Sequence, residues 1–242
     1  MKKTIVITGA SRGIGRAIAI ELAGKDTNIV INCAKNVDKL NEVKAVIEKK
    51  GSVCETFVGD MGNFEDVQKM FDICLQRFGQ VDILVNNAGI SIVGLFQDMN
   101  ESEWNKICHT NIGSVFNCCH FAVKDMMKRH CGKIINISSV WGLYGASCEV
   151  AYSATKGAVN AFTRALAKEL APSGIQVNAV ACGAIDTEMN GHLSVDDKAS
   201  LAEEIPAGRF GSPQEVAELV KSLTGMNSYL TGQIITLDGG WI

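Results

Sequence analysis

"KTIVITGASRGIGRAIAIELAGK", Lys3 to Lys25, sets a short β-branched run and a helix-spaced run on either side of a glycine-rich turn. The run through Ile7 reads as a buried strand ended by Gly9, and Ile14, Ala17, Ile18 and Leu22 then recur at helical spacing. In the turn "TGASRGIG", Thr8 to Gly15, Gly9 allows a sharp bend, Gly13 lets a diphosphate approach the backbone, and Gly15 permits close helix packing. The N–H groups at the helix start favour negative charge, with Ser11, Arg12 and Ile14 completing the lining. Glycine-rich turns also arise for geometry alone. Its place at the first strand of a series of strand–helix units makes this one a nucleotide cradle.

The series runs outward from there. "TNIVINC" repeats the strand signal before the amphipathic "VDKLNEVKAVIEKKG", and "SVCETFVGD", "FEDVQKMFDICLQRFG" and "VDILVNNAG" follow in the same alternation. Trp104 to Met127 reads as helical with a break near Asn111; "GKIINISS", "GIQVNAVAC" and "GQIITLDGG" supply further strands, and Tyr152 to Leu170 and "SPQEVAELVKSLTG" further helices. The expectation is an α/β fold: a Rossmann-type doubly wound sandwich whose seven-stranded parallel sheet carries helices on both faces. Without linker, repeat or low-complexity run, residues 1–242 are read as one domain. About 187–209 is the least regular stretch, the pattern of a flap over a cleft.

Composition narrows the function. The 242 residues hold 47% hydrophobic residues, 24 glycines and 3 prolines, the balance of a soluble globular protein. Lys and Arg number 23 against 26 Asp and Glu, so no basic footprint for nucleic acid exists. No apolar run reaches the length of a membrane span, and the N-terminus lacks a signal-peptide core. Nine cysteines without a CxxC pair suit a reduced, cytoplasmic chain.

A dinucleotide site needs a discriminator at the end of the second strand, where an acid would hold the adenosine ribose of NAD. Asn32-Cys33-Ala34-Lys35 offers none. Arg12 and Lys35 suit an additional phosphate instead, which favours NADP(H). Asp60 is placed to hold the adenine amino group, with Met61 lining the adenine face. Asn87, Ala88 and Gly89 of "NNAG" end the fourth strand on the carboxyl side of the sheet, where such folds bind ligands.

Chemistry enters with "AYSATK", Ala151 to Lys156. Tyr152 and Lys156 stand one helical turn apart. A phenol is a poor acid–base group near neutrality unless a cation stabilises its phenolate, and Lys156 is placed to do so and to hold the nicotinamide ribose. A serine hydroxyl at the end of "GKIINISS" would polarise a substrate carbonyl. By itself such a Tyr/Lys pair is common on helices. There is no GxSxG elbow, and His109, His120, His130 and His192 show no metal-ligand spacing, so no metal is expected.

"TGASRGIG", "NNAG", Asn111, "IINISSVWG" and "YSATK", in that order, resemble the short-chain dehydrogenase/reductase family over essentially the whole chain. "EIPAGRFGSPQEVAELV" and "YLTGQIITLDGGW" are similar to its 3-oxoacyl-[acyl-carrier-protein] reductases. The resemblance implies NADPH-dependent reduction of a 3-oxoacyl thioester in fatty acid synthesis. In it Tyr152 is the general acid, Lys156 its electrostatic partner, and Ser139, thirteen residues before Tyr152, binds the carbonyl. Asn111 would maintain a helix distortion and anchor a relay water. Gly183, Ile185 and Thr187 would border the nicotinamide. It further implies a homotetramer, with Gly232, Gly239 and Gly240 in close packing, and an acyl carrier protein docking on Lys128 and Arg129.

Three positions depart from the family pattern: Cys182 replaces a proline, which predicts a nicotinamide loop that is looser or follows a slightly different path, Ser173 replaces a docking arginine, and Cys33 stands where relatives carry an aromatic or basic residue. Specificity would lie in Gly94 to Phe96, Gly145 to Val150 and the flap. The shared residues leave open another ketone or secondary alcohol as substrate: a steroid, bile acid, sugar or small carbonyl compound. A non-catalytic NADP(H) sensor is the remaining reading.

Overall fold

The computed structural model describes residues 2–191, 193–225 and 229–242, so His192 lies outside the described residues. Seven strands, β1 Lys3–Ile7, β2 Thr27–Cys33, β3 Val53–Val58, β4 Ile83–Asn86, β5 Gly132–Ser139, β6 Ile175–Cys182 and β7 Ile234–Leu237, form one sheet. Its order is β3-β2-β1-β4-β5-β6-β7, and every pairing is parallel. The helices are α1 Gly13–Glu21, α2 Val37–Lys49, α3 Phe64–Phe78, α4 Glu101–Cys108, α5 Ser114–Arg129, the short α6 Trp141–Tyr144, α7 Val150–Leu170, α8 Val195–Glu204 and α9 Pro213–Gly225. This is the Rossmann-type sandwich that the strand–helix alternation predicts.

The two-residue side-chain period of each strand divides the core between the two faces. Ile5, Ile7, Ile29 and Ile31 pack with Ile18 of α1, Leu40 and Ile47 of α2, and Val216 and Val220 of α9. Val6, Val30 and Leu84 pack instead with Met70 and Phe71 of α3, Met126 of α5 and Val159 of α7. Strands buried on both sides read as unbroken apolar runs, which is why the central ones are so plain in the sequence. Each large side chain buried here contributes roughly 1.5–3 kcal/mol.

Local chemistry fixes the helix ends. Asn63 Oδ1 accepts from Glu65 N at 2.9 Å and Asp66 N at 3.1 Å, capping α3, which Gly79 closes in the left-handed region at φ 79°. Asn100 and Glu103 form a reciprocal capping box on α4. The expected break near Asn111 is a π-helical turn, His109–Gly113, between α4 and α5. The flap is more regular than its sequence suggests. It holds a 3₁₀ turn, Glu188–Asn190, and then α8, capped reciprocally by Ser194 and Asp197. Helix α8 buries no residue, so it carries no apolar period to betray it.

All nine cysteines are free thiols. Among the described residues no helix is long and apolar enough to cross a membrane. The chain winds outward from β1 to β3 and returns to β4 on the other side of β1. The crevice at the carboxyl ends of β1 and β4 is therefore the topological switch point, where ligands enter this kind of sheet.

Candidate active site

At that crevice the glycine turn and "NNAG" are built against each other. Gly9 has φ 63° and Gly13 φ 54°, conformations that favour glycine. A Cβ on Gly9 would lie 2.9 Å from Ala88 Cα, and one on Gly15 would collide with the Gly9 carbonyl and the Asn87 amide. Asn87 Nδ2 donates to Thr8 O and Gly9 O, both at 3.0 Å. Thr8 Oγ1 accepts from Asn87 N and Ala88 N, also at 3.0 Å. Helix α1 starts at Gly13 with no acidic residue in its first turn, which leaves its N–H groups to an anion. A backbone cradle that Cβ atoms would fill, at a helix N-terminus, fits a dinucleotide diphosphate.

Around the cradle the expected contacts separate into those that face the crevice and those that do not. Ala34 and Lys35 are exposed at the end of β2. Asn32 is not free to meet a ligand: its carbonyl accepts from Ala10 N at 2.8 Å and its Oδ1 from Gly9 N at 3.3 Å. Its Nδ2 holds Gly59 O at 3.0 Å, so Asn32 braces the turn instead. Met61 likewise departs from expectation, because its side chain is buried in the core with Met70 and Phe71 and lines no adenine face. Asp60 is exposed, with Oδ1 accepting from Gly62 N at 2.9 Å and Oδ2 lying 3.2 Å from His109 Nε2. Arg12 Nη1 reaches Glu188 Oε2 at 2.7 Å, and Lys39 Nζ reaches the other oxygen at 2.9 Å. These two cations hold the Glu188 carboxyl below its ordinary pKa, Lys39 foremost. A cavity of about 480 Å³ opens here, lined by Ser11, Arg12, Gly13, Lys39, Thr187 and Glu188 among others. Neither Lys39 nor Glu188 has a motif to mark it in the sequence.

The proton-handling groups meet at the ends of β5 and α7. Ser139 Oγ accepts from Trp141 N at 3.2 Å and stands close enough to the Tyr152 side chain to act on its pKa. Ser138 points elsewhere, donating to Asn160 Oδ1 at 2.7 Å. Lys156 Nζ donates to Ile137 O at 2.8 Å and stands 5.5 Å from the centroid of the Tyr152 ring. In the π-helical turn, Asn111 Nδ2 donates to Ile90 O at 2.9 Å and Thr155 Oγ1 at 3.0 Å, while its Oδ1 accepts from Ile90 N at 2.8 Å. A Cβ on Gly89 would sit 3.3 Å from Asn111 Oδ1 and 3.6 Å from Lys156 Nζ, so these three converge.

Their electrostatics depart from the simple expectation that Lys156 dominates the phenol. Tyr152 keeps part of its surface open to solvent. Protein nevertheless surrounds it so densely that desolvation pushes its pKa above the ordinary value, against the lowering influence of Ser139 and with smaller pushes from Cys182 and Glu149. Burial also holds the Lys156 amine down to about 8. Near neutral pH the phenol is protonated and the amine mostly charged.

The segment after β6, where the proline is missing, is held at its start by backbone hydrogen bonds. Val140 N donates to Cys182 O at 3.0 Å and Gly183 N to Leu237 O at 2.9 Å. A Cβ on Gly183 would lie 2.6 Å from Asp238 Cβ, which explains the glycine. Ile185 is buried, pairing in a bridge with Gly211, and Thr187 stands over Gly13. Away from the crevice, Lys128 is exposed, whereas Arg129 is engaged by Asp125 and Asp82, both at 2.9 Å. Arg129 thus joins the end of α5 to the start of β4 and is unavailable as a simple docking cation.

Known proteins share this plan along its length. The sequence profile described as short chain dehydrogenase matches residues 3–198. The 3-oxoacyl-[acyl-carrier-protein] reductase FabG of Staphylococcus epidermidis is 40% identical over 241 residues, 99% of each chain. That of Staphylococcus aureus is 39% identical over 241 residues, 99% of this chain and 98% of its own. The uncharacterized oxidoreductase YmfI of Bacillus subtilis is 37% identical over 243 residues, 100% of this chain and 99% of its own. With the parallel sheet, the cradle at its switch point and a family match over most of its length, the chain belongs to the short chain dehydrogenase family, oxidoreductases that work with a nicotinamide cofactor.

Proposed function

We propose that this chain is an NADPH-dependent reductase of 3-oxoacyl thioesters carried by acyl carrier protein. The observation that carries the reading is the convergence of Ser139, Tyr152 and Lys156 beside Gly89 and the glycine cradle. The names of the Staphylococcus relatives supply the substrate class. When bound, the nicotinamide supplies a hydride to carbon. The protein supplies the proton: the Tyr152 hydroxyl, kept protonated by burial, donates it to the carbonyl oxygen. Ser139 Oγ, beside that phenol, positions the carbonyl. The phenolate left behind is met by the charged Lys156, itself held by Ile137 O. Arg12 and Lys35 are the cations for the 2′-phosphate, and Asn111 holds the loop after "NNAG" to α7. Lys128 is the docking cation left for the carrier protein, the single domain spans 1–242 with its flap at about 187–209, and the assembly is a homotetramer.

A second reading, reduction of a different ketone, is favoured by the engagement of Arg129 and by Ser173, which together leave a weak docking surface. The deciding assay compares acetoacetyl-carrier protein, acetoacetyl-CoA and free ketones, each with NADPH and NADH. Reduction of a free ketone but of neither thioester would overturn the substrate assignment. Tyr152→Phe is expected to suppress turnover by at least about a hundredfold while keeping cofactor affinity. Near-normal reduction by that variant would sink the mechanism.

A further inference from the structure

Glu149 immediately precedes α7, three residues before Tyr152. At the N-cap position of α7, Glu149 makes no side-chain cap. Its Oε2 instead accepts from Ser91 Oγ at 2.6 Å, across to the segment that follows "NNAG". A backbone bond from Gly94 N to Cys148 O, 2.9 Å, ties the same two segments together. Glu149 O accepts from Ser153 N at 2.8 Å, locking the residue to the first turn of the helix that carries Tyr152. Cys148 holds φ 60°, a left-handed conformation unusual for a residue with a side chain, and so aims the chain into this contact.

No Lys, Arg or His side chain pairs with Glu149 among the described residues. Val93, Leu95, Phe96 and Val150, on the same two segments, and Tyr144 at the end of α6 are exposed apolar side chains. An acid lacking a cation therefore stands among exposed apolar side chains, one helical turn before Tyr152, whose pKa it helps to raise.

We propose that Glu149, held by Ser91, is a specificity-determining residue that sorts ketones by charge: it repels an anionic group near the reacting carbonyl and favours a cationic one. A neutral thioester or amide of a 3-oxo acid passes, and the free 3-oxo carboxylate does not. The inference rests on Tyr152 as the proton donor, because Glu149 stands one helical turn from it.

Three ketones with one 3-oxobutanoyl core test it: acetoacetate, methyl acetoacetate and N-(2-aminoethyl)acetoacetamide, which are anionic, neutral and cationic. Each kcat/KM, referred to that of the methyl ester, is measured with NADPH for wild type and Glu149→Gln; the glutamine keeps a hydrogen-bond partner for Ser91. The cation-to-anion ratio is expected to fall by about tenfold or more in the variant, the scale of one partly screened charge within several ångströms. An unchanged ratio overturns the proposal. Absence of turnover on all three in wild type would count against the reductase reading alone. The quench of bound NADPH fluorescence by the same compounds still ranks their affinities, and a ranking that Glu149→Gln leaves untouched overturns the charge sorting.

Discussion

Thr8 shows how a single side chain shapes the cradle. Its hydroxyl accepts from two backbone N–H groups, Asn87 and Ala88, both at 3.0 Å, in a position nearly closed to solvent. Valine has the same shape and no acceptor, so Thr8→Val is expected to cost about 2–3 kcal/mol by leaving both donors unmet, whereas Thr8→Ser costs less. Urea denaturation measures this, and equal losses for the two variants would refute it. Arg12 offers a second expectation. Its ion pair with Glu188 is half exposed, which makes the carboxylate an easily exchanged partner for a phosphate. Arg12→Ala is expected to weaken NADPH binding about tenfold, with NADH binding changed far less. Comparable losses for both cofactors in a titration would remove the NADP(H) preference from Arg12. Residue types with distinctive chemistry, such as Ser139, Tyr152 and Lys156, stand out in a sequence because few contexts need them together. Thr8 and Asn32 do not, since polar residues that satisfy a backbone some 25–80 positions away look like any others. Met61 misled for the converse reason: adjacency to Asp60 says nothing of which way a side chain turns into the core.

At the scale of elements, the contrast between α3 and α8 separates what periodicity reveals from what caps reveal. Both helices start on a side-chain cap, Asn63 and Ser194. Helix α3 buries Val67, Met70, Phe71 and Cys74, and its apolar stripe makes it plain in sequence. Helix α8 buries nothing, so only its cap and its acids at Asp196 and Asp197 mark it. The same difference governs stability. Asn63→Ala is expected to lower global stability by about 1 kcal/mol, because α3 is part of the core. Ser194→Ala is expected to leave the denaturation midpoint in place while accelerating amide exchange in 195–204, because the flap opens locally. A midpoint shift of similar size for both variants would mean that the flap unfolds with the core. The π-helical turn at His109–Gly113 was legible only as a break near Asn111. Its hydrogen bonds to Ile90 and Thr155 join three elements, and no single-segment pattern encodes such a junction.

For the whole molecule, the strand order and two-faced core follow from alternating patterns, but the charge state of the interior follows from packing. Cys54, Cys74, Cys119 and Cys182 are buried, and desolvation pushes each thiol from 9.0 to about 12. A raised pKa means that the folded chain keeps these protons while the unfolded chain loses them. The stabilisation is thus fully present below pH 9 and is lost as pH climbs toward 12. Each thiol contributes a slope of at most about 1.4 kcal/mol per pH unit. Lys156 opposes them: with its amine lowered from 10.5 to about 8, the folded chain gains stability as pH rises between those values, offsetting about one thiol. Cys118 and Tyr152 are raised likewise, so the net slope between pH 9 and 10.5 is on the order of three to four thiols' worth, roughly 4–5 kcal/mol per unit, enough to exhaust an ordinary domain's stability near pH 11. Urea titrations in reducing buffer from pH 7.5 to 11 are expected to show a shallow rise above pH 8, from Lys156, and then a steep fall above pH 9. Cys74→Ala should make that fall shallower by about one thiol's slope, whatever it does to stability at pH 7.5. Parallel curves for wild type and this variant would show that the interior thiols do not govern alkaline unfolding.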